Sequence, residues 1–232
     1  NKYIKLMEIK NLKKIYTKFY IKSKKSILYP SEYLVRIFKS EINKSKFNFP
    51  NFKNQKLLDL SCGDGRNLQL FYNLKFTVFA TEISNEIIEK VKKDTKIKID
   101  YKVGTNTSLP FNDNFFDFIV SSNSCYYIDQ GQSLKKNLIE IKRVMKKNSF
   151  LIGSIPSIGN YYFKNAKKIK KNHYLIKEDY LNLRNNYILA GFENKNDLIS
   201  VLSNYFKIIN IGILNNDYFG IKEKMYIFVL KK

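Results

Sequence analysis

Apolar positions along the chain fall into two alternating rhythms. Short, near-continuous apolar runs occur at Leu57-Leu58-Asp59-Leu60 and over residues 75–80, 115–120 and 150–156, and a strand alternating apolar with charged residues is expected over 97–103. Runs of this length read as strands buried on both faces. Between them the spacing is helical: Leu68, Phe71 and Tyr72, then Ile87, Ile88 and Val91, then Leu134, Leu138, Ile141 and Met145. A last helix carries Leu198, Ile199, Leu202 and Phe206 and opens at Asn196 or Asp197, and strands follow over 207–214 and 225–230. Ser31, Ser84 and Ser133 stand where helix N-caps are wanted. Strand and helix in alternation predict an α/β chain with helices on both faces of a mostly parallel sheet.

The first fifty residues differ. Ile4, Leu6, Ile9, Leu12 and Ile15, then Tyr16, Phe19 and Tyr20, predict a surface-lying helix among lysines. A second helix with Leu34, Val35, Ile37 and Phe38 is bracketed by Pro30 and the run 48–51. No repeat and no low-complexity linker divides the chain. It therefore reads as a helical cap over residues 1–50 on a domain over 51–232.

Composition narrows the class. The chain has 232 residues, 44% of them hydrophobic, enough for a substantial core. No run approaches the ~18 apolar residues of a membrane span. The charged residues at the start of the chain hold no signal-peptide core. Cys62 and Cys125 give neither a disulfide framework nor metal spacing, so a reducing cytoplasm and no metal are expected. The net charge of +22 invites an anionic partner, but only four basic residues are arginines (Arg36, Arg66, Arg143, Arg184). Arginine is the residue suited to bidentate phosphate and guanine contacts. A solvated lysine surface is the first reading and nucleic-acid binding the second.

The chemistry centres on the stretch from Leu57 to Leu68. An apolar strand turns through Gly63 and Gly65 into a helix. Glycines there let backbone approach a ligand, and a helix N-terminus offers free N–H groups. A dinucleotide fingerprint needs a third glycine where Leu68 stands. Glu82, ending the next strand, has the position of an acid that accepts from ribose hydroxyls.

The run Leu58-Asp59-Leu60-Ser61-Cys62-Gly63-Asp64-Gly65 resembles motif I of the S-adenosylmethionine (SAM)-dependent methyltransferases with the Rossmann-like fold, with Ser61 in place of the usual first glycine. Glu82, the segment from Gly104 to Phe111, Phe116-Asp117 and the run from Arg143 to Phe150 follow in the family's order, and Thr105 replaces the acid that contacts adenine. The resemblance covers about residues 55–155. It implies a seven-stranded, mostly parallel sheet with an antiparallel last strand. It also implies SAM as cofactor, with S-adenosylhomocysteine as product. The cofactor would be held by Asp59, Ser61, Cys62, Gly63, Gly65 and Asn67 of the loop, by Glu82 and Ile83, by Thr105, Asn106 and Thr107, and by Ser121 and Ser122. Thr105 or Asn106 can accept from the adenine amine.

The acceptor is expected at the strand ends near Asn123, under the cap residues Tyr20, Tyr29 and Arg36, and beside an insertion over about 157–195. Candidate bases are Tyr126, Tyr127, His173 and the N-terminal tyrosines. Cys125 reads as helix core rather than nucleophile. The chain lacks both the Asp/Asn-Pro-Pro-Tyr of enzymes that methylate adenine or glutamine nitrogens and the Pro-Cys of cytosine-5 enzymes. The expected activity is methylation of an oxygen or nitrogen on a small polar metabolite or sugar-type acceptor. Lysines near the variable segments are compatible with an anionic one. An RNA- or protein-directed methyltransferase, or a SAM-binding partner without activity, are the alternatives. Oligomeric state has no signal.

Overall fold

The computed structural model describes residues 10–22 and 28–232. Its element order begins with α1 (Lys10–Lys22), α2 (Glu32–Lys39) and α3 (Glu41–Phe47). The alternating core follows: β1 (Lys56–Asp59), α4 (Leu68–Asn73), β2 (Thr77–Glu82), α5 (Asn85–Thr95), β3 (Asp100–Val103), β4 (Phe116–Ser121), β5 (Tyr127–Ile128), α6 (Leu134–Val144) and β6 (Met145–Pro156). A 3-10 turn (Tyr161–Phe163) leads to β7 (Lys167–Lys170), β8 (His173–Leu175), β9 (Ile188–Ala190), α7 (Lys195–Leu202), β10 (Lys207–Tyr218) and β11 (Ile221–Lys231). Among the described residues no helix is long and apolar enough to cross a membrane.

Seven strands form the main sheet in the order β10-β11-β6-β4-β1-β2-β3. The pairs β1–β2, β1–β4, β2–β3 and β4–β6 are parallel, and β11 runs antiparallel to both β6 and β10. The expected sheet is therefore present, with the antiparallel strand last in sequence. Successive side chains on a strand face opposite sides, and this splits the core in two. Leu57, Phe118 and Val120 join α2, α4 and α5 on one face, while Leu58, Phe116 and Ile119 join α6 and α7 on the other. Chain order reverses between β1 and β4, so the carboxyl ends of those strands open a crevice.

The cap is fastened by aromatic packing. Phe38 is fully buried, and its ring centroid lies 5.6–6.0 Å from those of Phe49, Phe52, Phe71 and Phe76. Truncating such a residue costs about 3–5 kcal/mol, so α2 is a fixed platform. Ser31 does cap α2 by position, but its hydroxyl makes no cap bond and lies 3.4 Å from the Ser122 hydroxyl. Ser84 and Ser133 cap α5 and α6 as expected, accepting from Ile87 N and Lys136 N.

Several boundaries differ from the pattern. Ile4, Leu6 and Ile9 of the first expected helix lie outside the described residues. The short polar helix α3 was not anticipated. The second strand begins at Thr77 rather than residue 75, because Lys75 takes a left-handed turn conformation (φ 68°). Tyr72 faces outward, 51% exposed. Met145 opens β6 instead of closing α6. Cys125 is buried in a turn, not a helix, and its N–H donates to Ser121 Oγ. Asn194, not Asn196 or Asp197, caps α7, accepting from Asp197 N. The segment 157–195 holds three short strands that join β5 in a second, antiparallel sheet ordered β5-β9-β8-β7.

Candidate functional site

At the carboxyl ends of β1, β2 and β4 lies a cleft of about 620 Å³. Its lining comes from the β1–α4 loop, the end of β2 and helix α5, from residues 104–106 and 122–129, from helix α1 and the turn before α2, from the inserted segment, and from Glu223 of β11.

The loop takes its shape from three left-handed residues, Ser61 (φ 57°), Gly63 (φ 62°) and Gly65 (φ 78°). A Cβ on Gly65 would stand 2.7 Å from Val91 Cγ1, so α5 packs directly on the turn. A Cβ on Gly63 would stand 2.7 Å from the Tyr20 hydroxyl, so α1 lies over the loop. Ser61 N donates to Thr81 Oγ1 at 3.2 Å, and Cys62 N donates to the Thr81 carbonyl at 2.9 Å. These bonds fix the loop against β2.

Three carboxyls meet at this end. Glu82 is buried and accepts from Gly63 N through Oε1 and from Ile83 N through Oε2, both at 2.8 Å. Each of its oxygens keeps a second lone pair for a ligand hydroxyl. Burial is the main force that pushes Glu82 up to about 7, against the two backbone bonds that lower it. Asp59 is buried at the end of β1, and its Oδ2 has no partner among the described residues. Burial first, then Glu82 and Asp64, push it up to about 8. Asp64 is paired with Arg66 at 2.6 Å. A buried carboxylate with a vacant oxygen is a site for a cationic donor such as a ligand ammonium.

Asn106 supplies the opposite end. Its Nδ2 donates to the Ser124 carbonyl at 2.9 Å, while its buried Oδ1 has no partner among the described residues. It is a fixed acceptor suited to an exocyclic amine. The donor set thus fits an adenosyl amino acid: vacant acceptors for an amine and an ammonium, with a carboxylate between them for a diol.

Most of the cofactor residues expected from sequence share this cleft: Asp59, Ser61, Cys62, Gly63, Asn67, Glu82, Ile83, Thr105, Asn106 and Ser122. Asn67 is partly engaged, accepting from Ser31 N at 2.9 Å. Gly65 shapes the turn without lining the cleft. Thr107 lies outside, its hydroxyl 3.4 Å from that of Thr105. Ser121 is also outside, because its buried hydroxyl serves Ser124 and Cys125 N.

The acceptor candidates divide more sharply. Tyr20, Asn123 and Tyr127 line the cleft. Tyr29 is 73% exposed and lies outside it. Arg36 points away from the cleft and pairs with Glu32 at 2.7 Å. Tyr126 is fully buried behind Tyr127, ring centroids 4.9 Å apart, so it reaches no ligand. His173 sits on β8 outside the cleft, its Nδ1 2.9 Å from the Lys171 carbonyl and its Nε2 buried without a partner among the described residues, and burial lowers its pKa. Neither Tyr126 nor His173 is placed to move an acceptor's proton.

Tyr16, one of the N-terminal tyrosines, joins residues given no role from the sequence to complete the far wall: Asp129, Tyr161, Tyr162, Tyr180, Arg184, Tyr187 and Glu223. The density of tyrosine between 161 and 187 was the available signal. Among the described residues the lining cations are each paired: Arg66 with Asp64, Lys90 with Asp94, and Arg184 with Asp179. The lysines of β7 are exposed and outside the cleft.

Residues 58–153 match the family model described as a methyltransferase domain. The chain is 32% identical over 98 residues to a demethylmenaquinone methyltransferase of Renibacterium salmoninarum, a match covering 42% of this chain and 40% of that protein. It is 27% identical over 176 residues to an uncharacterized protein of Haemophilus influenzae, covering 72% of this chain and 66% of the relative. It thus spans less than two thirds of either curated relative. The fold is similar to a SAM-dependent methyltransferase structure from Methanosarcina mazei, with TM-score 0.62, 19% identity, and coverage of 78% of this chain and 93% of that one.

Proposed function

We propose that the chain, whose residues 58–153 match a methyltransferase-domain model, is a class I, Rossmann-like SAM-dependent methyltransferase, and that its cleft carries out methyl transfer to an oxygen or nitrogen of a small-molecule acceptor. The carrying observation is that one cleft joins the Gly63–Glu82 loop to a tyrosine-lined chamber. The first part has the donor set for SAM and the second has room for an acceptor, so a binding protein with a filled acceptor side is the weaker reading.

In this reading Glu82 accepts from the ribose hydroxyls, Asp59 faces the ammonium, and Asn106 Oδ1 accepts from the adenine amine. Bound SAM supplies a sulfonium-activated methyl group, whose carbon bonds to the acceptor atom while sulfur keeps the C–S electron pair. The chain's own task is therefore placement and exclusion of water rather than activation. Helix α1 serves both ends, with Tyr20 against Gly63 and Tyr16 one turn away bonded to Tyr127 at 2.8 Å. The inserted segment supplies the acceptor wall, in keeping with a specificity role for 157–195. Two free thiols, both buried, support a reducing compartment such as the cytoplasm.

The test is incubation of purified protein with methyl-labelled SAM and a pool of small metabolites. Label in a low-mass product supports the reading. Label in RNA or protein alone would replace it with a macromolecule-directed enzyme.

A further inference from the structure

Three polar groups meet on the acceptor side. Arg184 Nε donates to the Tyr127 hydroxyl at 2.9 Å, and the Tyr16 hydroxyl bonds to the same oxygen at 2.8 Å. Behind them Arg184 Nη1 is held by both oxygens of the buried Asp179, at 3.0 and 3.1 Å. The guanidinium carbon lies 4.3 Å from the centre of the Tyr162 ring. Arg184 is thereby fixed in position.

The protons of this cluster do not all find acceptors. Two phenols carry two protons and share one bond, and a guanidinium only donates. Tyr16 donates to Tyr127, so the Tyr127 proton is left with no acceptor among the described residues. Arg184 Nη2, on the same edge as Nε, has none among them either. Two donors are left side by side in a cleft, which is a seat for one oxygen.

The surroundings describe what carries that oxygen. Tyr127 and Tyr187 have ring centroids 5.5 Å apart, and Tyr161 and Tyr180 are 5.2 Å apart. Tyrosine walls of this kind suit a flat ring, by offset or edge contacts. An amine would meet only donors at the seat, and a phosphate would bring about two negative charges to a single guanidinium already paired with Asp179, where a phenolate brings one. We propose that Arg184 and the Tyr16–Tyr127 pair form the acceptor subsite, binding an aromatic hydroxyl compound with its oxygen ionised. This rests on the methyltransferase reading. It also assigns Tyr127 a role other than base: an oxygen that already accepts from Arg184 and Tyr16 has no lone pair left for the acceptor's proton. That proton leaves to water, because the bound phenolate is favoured by the guanidinium and the phenol donor.

The experiment uses 4-nitrophenol as probe, followed by its phenolate absorbance, on protein saturated with S-adenosylhomocysteine. The bound probe should ionise at least about one pH unit below the free probe, equivalent to about tenfold tighter binding of the phenolate. Arg184→Gln should abolish the shift and Tyr127→Phe should reduce it, with S-adenosylhomocysteine affinity kept. Should Arg184→Gln not fold, Arg184→Lys, which keeps the charge but loses the paired donors, should reduce the shift as well. An unshifted or unbound probe, or trimethylanilinium binding in its place, overturns the subsite and leaves the methyltransferase reading standing. Failure of S-adenosylhomocysteine to bind the wild type overturns both.

Discussion

The backbone N–H of Gly63 donates to Oε1 of Glu82 at 2.8 Å, and this bond joins the glycine loop to the end of the second strand. The carboxylate therefore organises the loop from below while keeping acceptor capacity toward the cleft. Removing it should loosen the loop and delete a ligand contact together.

The raised carboxyls make stability pH-dependent in a definite direction. Glu82 is pushed up to about 7 and Asp59 up to about 8, whereas unfolded carboxyls titrate near 4. Below about pH 4 both states are protonated and nothing is lost. As pH rises toward 7–8 the unfolded chain releases protons first, so ligand-free stability falls. Asp59→Asn removes one such group. Thermal melts at about pH 5 and pH 9 should show wild type losing more stability than Asp59→Asn; equal losses would contradict the assignment.

Ser61 takes the left-handed conformation at φ 57° with a side chain in place. That conformation costs an L-residue about 1–2 kcal/mol, partly offset in glycine by the entropy of its unfolded state. Ser61→Gly should raise stability by up to about 1 kcal/mol in denaturant titration. Gly63→Ala should do the reverse, because its Cβ meets Tyr20.

The strands of the sheet were legible because Leu57-Leu58 and Phe118-Ile119 need apolar cover on both faces, which only a central strand provides. The glycine loop was legible because Gly63, Gly65 and Glu82 are local in sequence and follow directly from two strand ends. The tyrosine-lined wall was not. Arg184 earns its place through Asp179 and a tyrosine 57 positions away, and no spacing rule encodes that contact. Strands β7 to β9 are three or four residues long and lysine-rich or mixed, too short for a period to show. His173 stood out by being the single histidine, yet composition says nothing about which way a side chain faces.

Asn106 should read the adenine amine. Wild type should bind S-adenosylhomocysteine several-fold more tightly than S-inosylhomocysteine, whose 6-oxo group cannot donate to Oδ1. Asn106→Ala should lose that preference, at a cost of about 1 kcal/mol for the one hydrogen bond. Calorimetry of the two ligands on both proteins checks it.

His173→Ala should leave cofactor affinity and methyl transfer unchanged, since its ring lies outside the cleft. Steady-state rates across about pH 6–8 provide the check, and loss of an acid limb in the variant would restore a catalytic role.

The central claim is that the Gly63–Glu82 loop holds SAM. Calorimetric titration of S-adenosylhomocysteine into wild type and Glu82→Ala tests it most directly. Saturable binding to wild type, weakened at least about tenfold in Glu82→Ala for loss of charged hydrogen bonds, is the predicted result. Equal binding in both proteins, or none in the wild type, would contradict it.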